Sequence, residues 1–207
     1  PLIPIGEKTI IEEIFNRFSR HGSNNFYVSL NFKSDLIEFY LNNQEGSYNL
    51  NYFKEGKPMG TAGSLTLLRN KISSTFFVSN CDILIDQDYS QILDYHRNNE
   101  SEITIVVAIK HFSIPYGIVE TGINGKLLDL KEKPDIAFNI NSGMYILEPH
   151  LLDEIPDNEF FHITQLIEKV KARNGKIGVF PVPENSWLDI GDWPEYLHLL
   201  TSKGYIK

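Results

Sequence analysis

The sequence predicts an α/β fold on a mostly parallel, mixed central sheet, and three observations predict it. Strand-like apolar runs alternate with amphipathic helical stretches through the first half of the chain, the order a parallel sheet with crossover helices requires. One such run, Ser74–Leu84 (STFFVSNCDIL), carries the carboxylate Asp82 where its apolar residues stop. Further on, Asn124-Gly125 sits between two β-prone stretches, a hairpin signature that makes the sheet mixed.

Composition sets the class. The chain has 207 residues, enough to bury one sizeable core, with 42% hydrophobic and 22% charged residues. No apolar run approaches the roughly 20 residues of a membrane-spanning helix. A formal net charge of −8 disfavours a nucleic-acid partner, which calls for a basic stripe. Cys81 is the single cysteine, so no internal disulfide forms, and the six His lack metal-ligand spacing. With no leader pattern, these features fit a cytoplasmic single domain. The chain opens on Pro1 without an initiator Met.

Taken in order, Thr9 and Glu12 form a capping box for a first helix whose stripe is Ile10, Ile11, Ile14, Phe15 and Phe18, ended by His21-Gly22. A strand over 25–32 and a helix over 35–41 make the first βα unit. A short strand at 50–54, a Gly-rich loop at 55–63 and an apolar helix at 64–68 lead to the strand ending at Asp82. A helix at 89–97 precedes the strand 102–109, whose apolar run reads as covered on both faces. The hairpin follows from Pro115 and ends at the run Lys131-Glu132-Lys133-Pro134. Beyond it come a strand at 138–147, a helix at 163–172 and a strand at 177–182. Asp192 caps a last helix, with Pro194 in the first turn and Glu195 closing a capping box.

Ligands of open α/β sheets bind beyond the carboxyl ends of the strands, which makes Asp82 the first candidate site residue. An equally good reading of Asp82 alone is a turn cap. The same two readings stand for Asp189 before Gly191. Lys131 to Lys133 reads most simply as a solvated charge run.

Several motifs in one order resemble the sugar-1-phosphate nucleotidyltransferases, or nucleotide-sugar pyrophosphorylases: PLIPIGEKTIIEEIF from Pro1, GTAGSL at 60–65, SNCDIL at 79–84, PYGIVE at 115–120, KEKP at 131–134, NSGMYILEP at 141–149 and WLDIGDW at 187–193. The segment IPDNEFF at 155–161, with WLDIG, resembles the subgroup in which paired CBS modules precede the transferase. The resemblance implies a Rossmann-like three-layer sandwich, the nucleotide-diphospho-sugar transferase fold. It implies transfer of a nucleotidyl group, with GTP favoured, onto a sugar 1-phosphate. The metal would be Mg²⁺ on Asp82 and Asp189. Lys133 would meet the sugar phosphate and Glu132 the sugar hydroxyls. Gly117 and Gly143 would let the sugar approach, Asn141 would face it, and Gly60 and Thr61 would lie nearest the nucleotide. Each glycine reads equally as a strand bulge, and the GTAG segment as a mere turn.

Two details complete this expectation. Because Pro134 disfavours helical backbone at the preceding residue, Lys133 is expected to be extended at a strand end, letting neighbouring Glu132 and Lys133 reach one ligand. Cys81 is expected to be a packed, inert thiol. The resemblance also exposes a departure: the family's Gly-rich triphosphate loop and the strand carrying it are missing from the chain. The chain is therefore expected to be N-terminally truncated, inactive by itself, and gapped beside the strand ending at Asp82, where a homo-oligomer contact or another segment could cover the gap. A catalytically inactive regulatory module that binds sugar phosphate is the alternative. A glycosyltransferase is disfavoured, since SNCDIL has one acidic residue where that class places two close together.

Overall fold

A computed structural model describes residues 1–44, 48–202, 204 and 205, with side chains for all of these except Glu195, His198 and Ser202. The chain starts with a two-residue β-ladder, β1 (Pro4–Ile5) against β2 (Lys8–Thr9), and runs into α1 (Ile10–Arg20). The Glu12 carboxylate accepts from the Thr9 backbone N–H at 2.7 Å and from the Tyr40 hydroxyl at 2.6 Å. The predicted stripe of α1 is buried in full.

Next come β3 (Asn25–Leu30), α2 (Ser34–Asn42) and β4 (Asn49–Lys54), with β3 and β4 paired in parallel. The Gly-rich loop is shorter than its composition suggests, because α3 (Gly60–Gly63) is already helical and continues as a 3₁₀ turn over Ser64–Leu68. The run 74–84 is two strands, β5 (Phe76–Ser79) and β6 (Ile83–Ile85), so Asp82 lies in the turn between them rather than on the end of one strand. After α4 (Tyr89–Asn98) follow β7 (Ile103–Ser113), the hairpin β8 (Ile118–Thr121) with β9 (Leu127–Lys131), and β10 (Asp135–Leu147). Asn124 and Gly125 both have positive φ, as the hairpin signal requires. The chain ends with α5 (Ile163–Ala172), β11 (Ile177–Val182), β12 (Trp187–Asp189) and α6 (Trp193–Ser202). The predicted role of Glu195 in capping α6 lies outside the described side chains.

The central sheet has the order β11-β7-β10-β5 and is mixed. β11 runs parallel to β7, whereas β10 is antiparallel to both β7 and β5, so two of the three ladders are antiparallel and the sheet is less parallel than the alternation of elements predicts. Apolar residues cover both faces. On one face Val106, Ala108, Met144 and Ile146 pack with α1, α4 and α6; on the other Ile103, Tyr145 and Leu147 pack with the 3₁₀ turn and α5. Ile103, Val106, Ala108, Ile146 and Leu147 are wholly buried, as a strand covered on both sides demands.

β3 pairs only with β4, and β5 only with β10. A groove of about 690 Å³ separates them, lined by Phe26 and Val28 of β3, Phe77 and Val78 of β5, and Phe15 and Phe18 of α1. No described helix is long and apolar enough to cross a membrane.

Candidate active site

The site begins at the turn between β5 and β6. β12 lies antiparallel on β6 with Asp189 opposite Ile83, which places Asp189 beside the residue that follows Asp82. The Ile190 N–H donates to the Asp82 carbonyl at 2.8 Å and closes the pair. Both carboxylates converge on Gly191: a Cβ added there would sit 3.0 Å from Asp189 Oδ1 and 3.4 Å from Asp82 Oδ2. The same Asp189 Oδ1 accepts from the Gly191 N–H at 2.9 Å, so Asp189 does cap its turn, and with that oxygen it faces the spot Asp82 faces.

No cluster of three or more His, Cys, Asp or Glu suited to a metal occurs among the described residues. Two convergent carboxylates are a donor set suited to Mg²⁺, which keeps several waters and phosphate oxygens and takes one or two protein carboxylates. Asp82 and Asp189 therefore fit that ion, and a cation demanding a full protein cage would not be satisfied here. Cys81, next to Asp82, is exposed rather than packed, which corrects the expectation from sequence. Its inner surroundings are still desolvated enough to push the thiol up from its usual range, so it is no thiolate nucleophile.

A second group surrounds a bulge in β10. The register against β7 shifts between Asn141 and Met144, and Gly143 takes φ +85°. Several polar groups at the bulge find partners outside the ladder. The Asn141 side chain accepts from the Gly143 N–H at 3.2 Å through Oδ1 and donates from Nδ2 to the Tyr145 hydroxyl at 2.7 Å. Ser142 Oγ donates to the Val106 carbonyl and accepts from the Met144 N–H, at 2.7 and 3.3 Å. Trp187 Nε1 donates to the Ser142 carbonyl at 3.1 Å, and the Asn80 N–H donates to the Gly143 carbonyl at 3.0 Å. Gly143 thus is a strand bulge, and the bulge ties the turn carrying Asp82 to the strand carrying Asp189.

The hairpin supplies a third group. Glu132 Oε2 lies 3.0 Å from where a Cβ of Gly117 would be, so these two predicted residues share one spot. Lys133 is not extended as the following proline predicts: its φ is +43°, left-handed backbone that a residue before proline rarely adopts. This reversal ends the strand and releases Glu132 and Lys133 from alternating faces. The charge run divides accordingly. Lys131 pairs with Asp129 and Glu120 at 3.3 and 3.6 Å, whereas Glu132 and Lys133 enter no ion pair among the described residues.

Gly60 and Thr61 line the groove between β3 and β5 together with Ser79, Asn80 and Cys81. Each also has a structural duty. Gly60 has φ +76°, and a Cβ there would sit 2.7 Å from the Phe161 carbonyl oxygen. The Thr61 hydroxyl accepts the Ile163 N–H at 2.9 Å, capping α5. GTAG is therefore not a mere turn: it is the short helix α3, held against Phe161 and the start of α5.

Three partners lie inside the quoted motifs without being singled out by them. Asn80 meets Gly143, Tyr145 meets Asn141, and Trp187 meets Ser142; the first and third contacts span long stretches of chain, and no spacing rule signals any of them.

With this geometry in place, comparison with known proteins identifies the class. The family described as Nucleotidyl transferase matches residues 1–203, and the chain belongs to that family. It is 29% identical over 204 residues to a mannose-1-phosphate guanylyltransferase catalytic subunit beta of Dictyostelium discoideum, covering 95% of this chain and 56% of that protein. A mannose-1-phosphate guanyltransferase of Emericella nidulans is 30% identical with the same coverage, and a UTP–glucose-1-phosphate uridylyltransferase of Synechocystis is 29% identical. The chain thus spans little more than half the length of the curated relatives it matches. Among solved structures, HddC from Yersinia pseudotuberculosis superposes with a TM-score of 0.74 at 21% identity, covering 98% of this chain and 88% of that one. At that identity the likeness shows a shared fold.

Proposed function

We propose that this chain belongs to an enzyme that transfers a nucleotidyl group from a nucleoside triphosphate to a sugar 1-phosphate, releasing pyrophosphate, with GTP as the favoured donor. The observation that carries the reading is the convergence of Asp82 and Asp189 on Gly191 in a chain of the nucleotidyl transferase family. In this reaction an oxygen of the sugar phosphate attacks the α-phosphorus and pyrophosphate leaves in line. The nucleophile is already anionic near neutral pH, so no general base is needed. The protein's work is to hold two repelling anions in line and to offset charge as it moves.

The residues divide that work. Asp82 and Asp189 would hold Mg²⁺, which supplies positive charge to the phosphates when bound. Lys133, an exposed cation on an acidic chain, faces the sugar phosphate, while Glu132 beside Gly117 accepts from sugar hydroxyls. Asn141 presents its amide to the sugar across the bulge at Gly143. Gly60 and Thr61 bound the groove on the nucleotide side. Support for guanine comes from the guanylyltransferase names of the curated relatives and from a crystal structure of HddC complexed with GMP-PN.

The test is pyrophosphate release by the natural protein that carries this chain, with each of the four common triphosphates and a panel of sugar 1-phosphates in magnesium buffer. The expected result is turnover with GTP and a hexose 1-phosphate, mannose 1-phosphate foremost. Binding of sugar 1-phosphate without pyrophosphate release from any pair would overturn the catalytic reading.

A further inference from the structure

We infer that the Tyr145 hydroxyl is a positioning group for the sugar substrate, acting through Asn141 across the β10 bulge. The inference rests on the reading above that Asn141 faces the sugar. In a regular strand, residues four apart share a face but stand about 13 Å from one another. The bulge removes that separation. With Gly143 at φ +85° and the register shifted between Asn141 and Met144, the Asn141 Nδ2 comes to 2.7 Å from the Tyr145 hydroxyl.

The two ends of the amide are distinguished. Gly143 offers an N–H, so the end facing it must be the oxygen, and the end facing Tyr145 is the NH₂. Flipping the amide would set donor against donor at Gly143. One Nδ2 hydrogen and one Oδ1 lone pair remain for a ligand, and Asn141 is exposed at the surface. Tyr145 is the rigid side of this contact: its ring is 3% exposed and packed with Leu147 and the α5 core. Buried ring and exposed amide together place a ligand-facing group with the precision of the core rather than of the surface.

The chemistry separates positioning from folding. Tyr145→Phe keeps the packed ring, and the released Asn141 amide is solvated, so little folding stability depends on the hydroxyl. What is lost is the fixed direction of the amide. A neutral hydrogen bond of ordinary strength corresponds to about a two- to tenfold change in an equilibrium constant.

The experiment uses the natural protein and the best acceptor of the panel, expected to be mannose 1-phosphate, with Asn141→Ala, Tyr145→Phe and the double variant. Asn141→Ala should raise the acceptor KM about tenfold, and Tyr145→Phe about two- to fivefold. In Tyr145→Phe the KM for the triphosphate and the thermal midpoint should stay within error, whereas Asn141→Ala also leaves the Gly143 N–H without its partner and lowers the midpoint. The double variant should match Asn141→Ala alone, since the hydroxyl acts through that amide. An unchanged acceptor KM in Asn141→Ala would refute the placement of Asn141 at the sugar. A raised KM in Asn141→Ala with none in Tyr145→Phe would overturn the positioning role alone. So would independent, multiplying effects, or, in Tyr145→Phe, a KM rise for both substrates with a lowered midpoint.

Discussion

Replacing Gly143 by Ala should cost more stability than the same change at Gly125, although both glycines have positive φ, +85° and +74°. The shared part is conformational. An L-residue in left-handed backbone costs about 1–2 kcal/mol relative to Gly. At Gly125 a Cβ meets nothing within 4 Å, so that is the whole cost. At Gly143 the Cβ would stand 2.8 Å from Asn80 Nδ2 and 3.1 Å from its Cγ, closer than side chains pack. The backbone bond from the Asn80 N–H to the Gly143 carbonyl at 3.0 Å keeps the Asn80 Cβ in place, 3.5 Å from the added methyl, so the exposed amide has to rotate away. Turning that side chain out of its rotamer adds about 0.5–1.5 kcal/mol, giving roughly 2–3 kcal/mol in all at Gly143. Urea midpoints of the two variants, with unchanged m-values, measure the difference. Equal losses at both positions would refute the close packing of Asn80 on the bulge, and with it the link between the bulge and the Asp82 turn.

Acid titration probes a different part of the fold. Hydrogen bonding from Arg173 holds the Glu102 carboxyl down at about 2, below its ordinary 4.5, so its stabilisation is present above the ordinary value and lost as pH falls toward 2. Because the group is partly solvated, the contribution is on the order of 1 kcal/mol, and Glu102→Gln should flatten the pH dependence of the urea-unfolding free energy between pH 5 and 2 by that amount. Thr61→Val should destabilise the protein by about 1 kcal/mol in the same assay, through loss of the acceptor for the Ile163 N–H at the start of α5. Lys133→Ala should weaken sugar 1-phosphate binding in calorimetry about tenfold or more while leaving triphosphate binding intact; the opposite pattern would move Lys133 to the other ligand.

Local signals read from sequence were those whose physics is local. The Thr9–Glu12 capping box, the stripe of α1, the bounds of α5 and β11, and the Asn124-Gly125 turn all depend on residues within a few positions of each other. Features set by distant partners were not legible. The run 74–84 carries Ser79 and Asn80 just ahead of Asp82, a turn signal that a reading of one continuous strand passes over; β5 pairs with β10 while β6 pairs with β12, so two different partners divide it. Composition could not show that β10 runs against β7 and β5, since an apolar strand reads the same in either direction. Lys133 departs from its proline-based expectation where the chain reverses between β9 and β10, with the Ile114 N–H closing on the Pro134 carbonyl at 3.0 Å. Of the residues the motifs offer as a site, the fold brings Asp82 to Asp189 and Gly117 to Glu132. Asn80, Tyr145 and Trp187 stand inside the same motifs, but their contacts with Gly143, Asn141 and Ser142 were not legible because only the bulge creates them.

The most direct test of the account is pyrophosphate release by the natural protein carrying Asp82→Asn or Asp189→Asn. Each change keeps the side-chain shape, the Asx turn onto Gly191 and the Asp82 backbone bond to Ile190, so the thermal midpoint should hold. Each removes one of the two negative charges that converge on Gly191, and turnover in magnesium buffer should fall by about 10²–10³-fold or more. Near-normal turnover in both variants would contradict the assignment of these two carboxylates as the centre of the site.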